Sequence, residues 1–425
     1  MARSPYIYAL DGELALIKQP TVAKHEVLRH YLVDYIQTLV SSPNQDELRL
    51  TLVDGFAGAG EYLHEVTRER RYGSPFVFLQ AAKEAEMRIN TSRRKKIRMN
   101  LDYFFVEKDP IAVELLRRSL HNNDYGPQLD QGIRVINGLF QDNANAISEF
   151  IAKKSPRSGR SIFLLDQYGY KDVPTSLIRT ILAKHASAEV ILTFGVDSFI
   201  NFAGDNVATH KQLNNIGIPD VLRGRTFEDI KQNENDFRLY IQSCLYKDLV
   251  SACGARYYTL FFIRTEGHGD YWLVHLSQHP RARDVMTRVH WSKNNNFIHY
   301  GGAGIDMFQV LGYSAERDTT FTGQQGFGFC FDNHASNASV QQLMEQLPQI
   351  IYANPQGISF GDLFASTCNT SPADSAKYKD ALEQLIQFKD IKVVSAKGTI
   401  RGKASTIGDS DHLLPASQHS FGFTR

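Results

Sequence analysis

Apolar side chains recur at Val27, Leu28, Tyr31, Leu32, Tyr35, Ile36 and Leu39, the spacing of one helical face, and predict a helix over 22–41. Seven β-prone runs follow, ending near Val53, Val106, Ile136, Leu165, Phe194, Ile263 and Leu276. Between the first five lie stretches such as 110–120 and 175–184, whose apolar spacing is that of covering helices. This alternation predicts an α/β chain built on a mostly parallel sheet with helices on both faces. The last two runs, 257–264 and 271–277, are joined only by Thr-Glu-Gly-His-Gly-Asp. So short a link permits an antiparallel pair and no crossover.

The pattern changes twice more. Residues 197–250 interrupt it with a polar, helical insertion carrying Asn201, Asn206, Asn214, Asn215, Arg223 and Arg225, which reads either as a substrate-contacting insert or as packing helices. Residues 281–339 give a linking helix over 281–291 and then a Gly- and Asn-rich stretch. From Val340, helical spacing over 341–352, 359–368 and 374–388 precedes two β-prone runs, 391–394 and 399–406, around Lys397-Gly398. Three helices and a hairpin in so short a span predict a winged-helix-like domain over 340–408. The expected organisation is therefore an N-terminal helical segment (1–45), the sheet domain (46–280), the linker, the winged helix, and a loose tail (409–425).

Composition narrows the classes. The chain has 425 residues with 42% hydrophobic content, enough for two or three cored domains. Lys plus Arg (47) balances Asp plus Glu (46), which argues against a binder held by bulk charge but allows a local basic groove. Cys244, Cys253, Cys330 and Cys368 are scattered without paired spacing, so neither a disulfide frame nor a metal knuckle is expected. The first residues lack a signal-peptide core and no apolar run approaches eighteen residues, which gives the expectation of a cytoplasmic protein off the membrane.

Chemistry-bearing residues gather at the ends of the β-prone runs. The first run closes on Asp54-Gly55-Phe56-Ala57-Gly58-Ala59-Gly60, a turn in which backbone must approach a ligand closely. The second closes on Glu107-Lys108, where a Rossmann-like domain holds the two hydroxyls of a ribose. After the third, Gly138-Leu139 falls where a backbone turn would face an adenine. Five parallel strands, a terminal antiparallel hairpin and these tips are similar to class I S-adenosylmethionine methyltransferases. Asp54 reads either as orienting the turn or the methionine amino group, or as capping the next helix. Lys24 and His25 read either as a lid over the cofactor carboxylate or as a solvated helix face. The fourth run ends at Asp166-Gln167-Tyr168-Gly169, similar to the (Asp/Asn)-Pro-Pro-(Tyr/Phe) tip of enzymes that methylate exocyclic base amines. Asp166 would accept the amine's hydrogens, the Gln167 carbonyl would assist, and Tyr168 would stack on an extruded base. The bland alternative is a helix cap and a core aromatic. Basic runs at Arg68, Arg70 and Arg71, at Arg93–Lys96 with Arg98, and on the wing at Lys392, Lys397, Arg401 and Lys403 are either solvated surface or a track for phosphates. His279-Pro280-Arg281 is distinctive and carries no chemistry that its residue types alone explain.

Taken in order, Lys24-His25-Glu26-Val27-Leu28-Arg29, the glycine turn through Glu61-Tyr62 with Gly73-Ser74-Pro75, Phe105-Val106-Glu107, Leu165-Asp166-x-Tyr168-Gly169 and Ser277-x-His279-Pro280 resemble the three-Cys-motif partner (TcmP) family of bacterial proteins. The resemblance runs from about residue 22 to about 408. It implies a methyltransferase-like fold, S-adenosylmethionine as cofactor, and a partner protein with three cysteines encoded by a neighbouring gene. The family's fourth-strand motif, Asp-Pro-(Phe/Tyr)-Gly, also resembles the tip used by tRNA guanine-N2 methyltransferases; here Gln167 stands in place of the proline. The leading function is methyl transfer to a base amine in DNA or RNA; the alternatives are a small-molecule or protein methyltransferase on the same fold, and a non-catalytic adaptor that binds cofactor or a partner protein in a mobile-element or phage-related system.

Overall fold

A computed structural model describes residues 6–40, 42, 44–167, 172–202, 204–233, 237–265, 268–292, 298–299, 303–305, 329–330 and 332–416. The chain divides into two units, one built on residues 1–298 and one holding 322–425. In the first, α1 (Gln19–Leu39) precedes β1 (Glu47–Asp54), α2 (Ser74–Ser92), β2 (Arg98–Glu107), α3 (Pro110–Asn122), β3 (Ile133–Asn137), α4 (Phe140–Lys154), β4 (Ser161–Leu165), α5 (Thr175–Lys184) and β5 (Ala188–Phe194). The insertion follows as α6 (Val196–Phe202), α7 (Val207–Ile216), α8 (Phe227–Asn233) and α9 (Phe237–Cys253), and then β6 (Tyr257–Thr265), β7 (His268–Ser277) and α10 (Pro280–Ser292).

These seven strands lie in the order β6-β7-β5-β4-β1-β2-β3. β1 to β5 are mutually parallel, and β7 enters antiparallel between β5 and β6. This is the α/β sheet expected from the sequence. β4 and β5 are buried along their whole length, as strands covered on both faces must be. The order reverses between β1 and β4, so the chain opens a crevice beyond their carboxyl ends, where α/β sheets bind ligands. Asp54, Glu107, Asn137 and Asp166 all stand at that edge.

Several details differ from the sequence reading. The expected N-terminal helical segment is not helical before Gln19; Leu16–Ile17 instead forms a strand parallel to Glu61–His64, which pairs with Arg70–Tyr72. A small ribbon thus stands between the glycine turn and α2. The basic run Arg93–Lys96 with Arg98 lies at the opposite, amino-terminal edge of the sheet. There Arg93 donates to the Val40 and Gln45 carbonyls, while Lys95 and Arg98 pair with Asp46 and Glu47. Arg68, Arg70 and Arg71 pair with Glu13, Glu61 and Glu69. In the insertion, Arg223 makes a two-pronged pair with Asp248 at 2.7 and 2.8 Å, and Asn206 caps α7 by accepting the Thr209 amide. His279-Pro280-Arg281 starts α10: His279 Nδ1 accepts the Arg281 amide at 3.1 Å, and proline needs no donor at a helix's first position.

The second unit carries α11 (Asn333–Tyr352), α12 (Phe360–Thr367), α13 (Ser375–Gln387) and a sheet of β8 (Ile391–Val394), β9 (Ile400–Arg401) and β10 (His412–Pro415). Leu343, Leu347, Phe360, Tyr378, Leu382, Val393 and Leu413 form its core. Residues 412–415 lie in the stretch expected to be a loose tail. They instead form the strand between Ile358–Ser359 and β8, with Leu413 fully buried. A four-residue run with one inward leucine gives no periodic signal, and its pairing partners are distant in sequence. On the wing Lys392, Lys397 and Lys403 are exposed, whereas Arg401 pairs with Asp411 at 2.9 Å.

Candidate functional site

β1 and β2 pair in register with Asp54 beside Phe105, so the Asp54 and Glu107 ends are neighbours over one crevice. Asp54 is fully buried. Its Oδ1 accepts the Phe56 amide at 3.0 Å, bending the chain out of the strand, and its Oδ2 makes no hydrogen bond among the described residues. Burial pushes its pKa up to about 7, opposed by the Ser74 hydroxyl and the Phe56 amide and reinforced by the charges of Asp166 and Glu107. The next helix begins only at Ser74, so Asp54 orients the turn and does not cap a helix.

The turn is fastened from three sides. The Gly55 amide donates to the Leu164 carbonyl at 2.9 Å, the Ala57 amide to the Val106 carbonyl at 3.0 Å, and the Gly58 amide to Glu107 Oε2 at 2.9 Å. Gly58 sits at φ +62°, and a Cβ there would lie 2.0 Å from the Tyr62 hydroxyl. Glycine is required on both counts. Glu107 Oε1 accepts the Asp109 amide at 2.9 Å, and Asp109 caps α3. Behind it, the Gly138 amide donates to the Glu107 carbonyl at 3.0 Å.

On the other side of the crevice, α1 brings Lys24 to Asp166. Nζ lies 2.6 Å from Oδ1 and 2.7 Å from Oδ2, with side-chain exposures of only 15% and 20%. Burial alone would raise the Asp166 pKa, but the Lys24 ammonium, with Thr193 and His25 nearby, holds it below the ordinary carboxylate range. Burial pushes His25 down to about 4, with Lys24 adding to it against Asp166. The His25 imidazole is therefore neutral at physiological pH. Gln167 is 3% exposed, and its Oε1 accepts the amides of Asp172 at 2.8 Å and Val173 at 3.1 Å. The side chain that replaces the resembled family's proline thus joins the two ends of the segment carrying Tyr168. Tyr168 itself lies outside the described residues.

Between these groups lies a cavity of about 280 Å³. Lys24, Gly55, Phe56, Ala57, Gly58, Glu107, Lys108, Gly138, Leu139, Asp166 and Gln167 all line it. Asp54 lies just behind the lining, and Gly60, at φ +81°, packs against Leu116 and Phe76. Tyr6, Tyr8, Tyr62 and Thr193 also line the cavity. Sequence reasoning gave Tyr6, Tyr8 and Thr193 no role and used Tyr62 only as part of a motif. The alternation Tyr6-Ile7-Tyr8 was the available signal for the first two. Thr193, at the end of an otherwise apolar stretch of strand, gave its polarity as the only hint. Tyr6 stacks on Tyr8 at 6.0 Å and meets the Tyr62 ring at a tilt of 53° and 5.3 Å, so an aromatic cluster faces the Glu107 side. A glycine turn without room for side chains, an acid at the second strand tip and a backbone turn after the third suit a nucleoside. Among the described residues no group of His, Cys, Asp or Glu could hold a metal ion.

A family model described as a GMT-like wHTH domain matches residues 312–398, so the carboxyl-terminal module is a winged helix. No curated protein matches the chain. Among solved structures, protein LPL1258 from Legionella pneumophila, family-model DUF519, is similar at 11% identity over 61% of this chain and 89% of that one, with a TM-score of 0.34. Trm1 from Pyrococcus horikoshii with S-adenosyl-L-methionine is similar at 11% identity over 79% and 77%, with a TM-score of 0.29. The N-terminal domain of human METTL16 in complex with SAH is similar at 11% identity over 59% and 68%, with a TM-score of 0.28. No helix among the described residues is long and apolar enough to cross a membrane.

Proposed function

We propose that this chain binds S-adenosylmethionine in the crevice beyond β1, β2 and β4 and transfers its methyl group to an exocyclic amine of a nucleic-acid base. The observation that carries the reading is one cavity lined by the Gly55–Gly58 turn, Glu107 and Asp166, at the point where the strand order reverses. The cofactor, when bound, supplies a methyl already activated on a sulfonium sulfur, so the protein's task is positioning. Glu107 has lone pairs beyond its two amide bonds for the ribose hydroxyls, with Lys108 beside it. Asp54 keeps the glycine turn in shape, and Gly138 and Leu139 offer backbone to the adenine. Asp166 and the Gln167 carbonyl accept hydrogens from the target amine, and Tyr168 is the stacking ring. The winged helix suits nucleic-acid contact through its exposed lysines. The resemblance to the three-Cys-motif partner family adds a partner protein in the cytoplasm of a bacterium.

A second reading, a non-catalytic adaptor that binds cofactor or partner protein, is favoured by one observation: Asp166 is already engaged by Lys24. Calorimetry with S-adenosylmethionine and S-adenosylhomocysteine tests the cofactor. Tritiated methyl transfer to DNA, rRNA and tRNA pools separates enzyme from adaptor. Transfer that is abolished by Asp166→Ala supports the acceptor role; transfer that survives it removes Asp166 from the acceptor pocket.

A further inference from the structure

We propose that Lys24 is a latch: a bound cofactor's carboxylate draws its ammonium off Asp166, so the acceptor carboxylate is released only when the cofactor is in place. This rests on the reading of the cavity as an S-adenosylmethionine site.

An ammonium has three N–H donors, and Asp166 takes two of them, at 2.6 and 2.7 Å. No described residue takes the third, which leaves it for a second carboxylate. Lys24 and Asp166 line the same cavity as the Gly55–Gly58 turn, so a nucleoside seated on that turn would extend its amino-acid arm into the space this pair borders. Leaving a shielded charge without a partner is costly, but exchanging one carboxylate for another keeps the ammonium paired throughout. Asp166 has a replacement partner at hand. The Thr193 side chain is buried, stands close enough to Asp166 to help hold its pKa down, and its hydroxyl has no other hydrogen-bond partner among the described residues.

The helix itself is not free to follow the lysine. Tyr31, two turns beyond Lys24 on the same face, bonds the buried Glu189 carboxyl of β5 and lies 3.1 Å from His275 Nε2 of β7. The exchange is therefore a swing of the four-carbon lysine stem over a fixed α1.

The test is calorimetry on the full chain with two ligands, S-adenosylhomocysteine and 5′-methylthioadenosine. Both carry the adenosine and a thioether, and only the first has the amino-acid arm. Lys24→Met is expected to weaken S-adenosylhomocysteine about tenfold or more and to leave methylthioadenosine within about twofold. Asp166→Asn is expected to tighten S-adenosylhomocysteine several-fold, and to lose that gain in the Lys24→Met background. Methylthioadenosine binding reports folding, and if Lys24→Met does not fold, Lys24→Gln takes its place both alone and in combination with Asp166→Asn. An Asp166→Asn gain that persists without Lys24 overturns the latch, since simple relief of charge repulsion then explains it. Equal affinity of the wild-type chain for both ligands also overturns the latch and leaves the cofactor reading standing. If neither ligand binds the wild-type chain, the cofactor reading falls and the latch with it.

Discussion

Glu107 Oε2 accepts the Gly58 amide at 2.9 Å, so the carboxylate at the tip of β2 holds the glycine turn of β1 in place as well as facing the crevice. The same side chain takes the Asp109 amide through its other oxygen, which joins the turn to the start of α3. A substitution here acts on ligand and scaffold together. Glu107→Gln keeps the shape, retains one acceptor and removes the charge. It is expected to weaken S-adenosylhomocysteine and methylthioadenosine equally, by roughly tenfold, the worth of about one charge-assisted hydrogen bond. Calorimetry checks it. Unchanged affinity for both would remove Glu107 from the ribose contact.

Gly58→Ala tests the turn by sterics rather than charge. The left-handed backbone at φ +62° costs a non-glycine residue roughly 1–2 kcal/mol. The new methyl would also meet the Tyr62 hydroxyl, which accepts the Ala59 amide at 3.0 Å. Thermal unfolding is expected to drop by several degrees, with nucleoside affinity falling further than that loss of stability accounts for. A variant as stable and as tight as wild type would show that the turn has slack.

What the sequence made legible is what local rules control. Strand tips at Asp54, Glu107 and Asp166 stood out because a carboxylate closing an apolar run has few reasons to be there, and parallel strand order then brings such tips to one edge. The Lys24–Asp166 pair spans 142 residues and joins a helix to a strand end, so no spacing rule announces it. The same holds for Tyr6 and Tyr8, whose place depends on a two-residue strand, Leu16–Ile17, pairing with a hairpin well beyond it in the chain. The basic runs stayed open between two readings for a related reason: charge density is visible in sequence, whereas the acids that pair with Arg68, Arg71 and Arg98 are not all adjacent to them.

Asp54 gives a pH dependence with a definite sign. Its pKa rises from the ordinary 3.8 to about 7 because burial disfavours its charge. The folded value lies above the unfolded one. The protonated carboxyl therefore contributes stability that is fully present below about 3.8 and is lost as pH rises through about 7. The amide of Asp54→Asn cannot titrate and keeps an oxygen for the Phe56 amide. The melting temperature of this variant relative to wild type is expected to climb between pH 5 and pH 8, reflecting a stability difference on the order of 4 kcal/mol at most. A difference that stays flat across this range would mean that Asp54 ionises normally inside the fold.

Gln167 offers the sharpest separation of structure from chemistry at the acceptor tip. Its side-chain oxygen holds the amides of Asp172 and Val173, while the role proposed for it in catalysis uses its backbone carbonyl. Gln167→Ala removes the first and keeps the second. Two amides then lose a buried acceptor, a change worth about 1–3 kcal/mol for each group left unsatisfied. Hydrogen exchange at Asp172 and Val173 is expected to quicken by roughly one to two orders of magnitude, with cofactor affinity unchanged because the proposed nucleoside contacts lie at the ends of β1, β2 and β3. Methyl transfer is expected to fall with the loss of the link between Gln167 and the Asp172 and Val173 amides. Gln167→Pro removes the same side chain but restricts the backbone, so it is expected to recover part of that activity without recovering the amide protection. If Gln167→Ala leaves exchange at both amides at the wild-type rate, the glutamine is not what protects them.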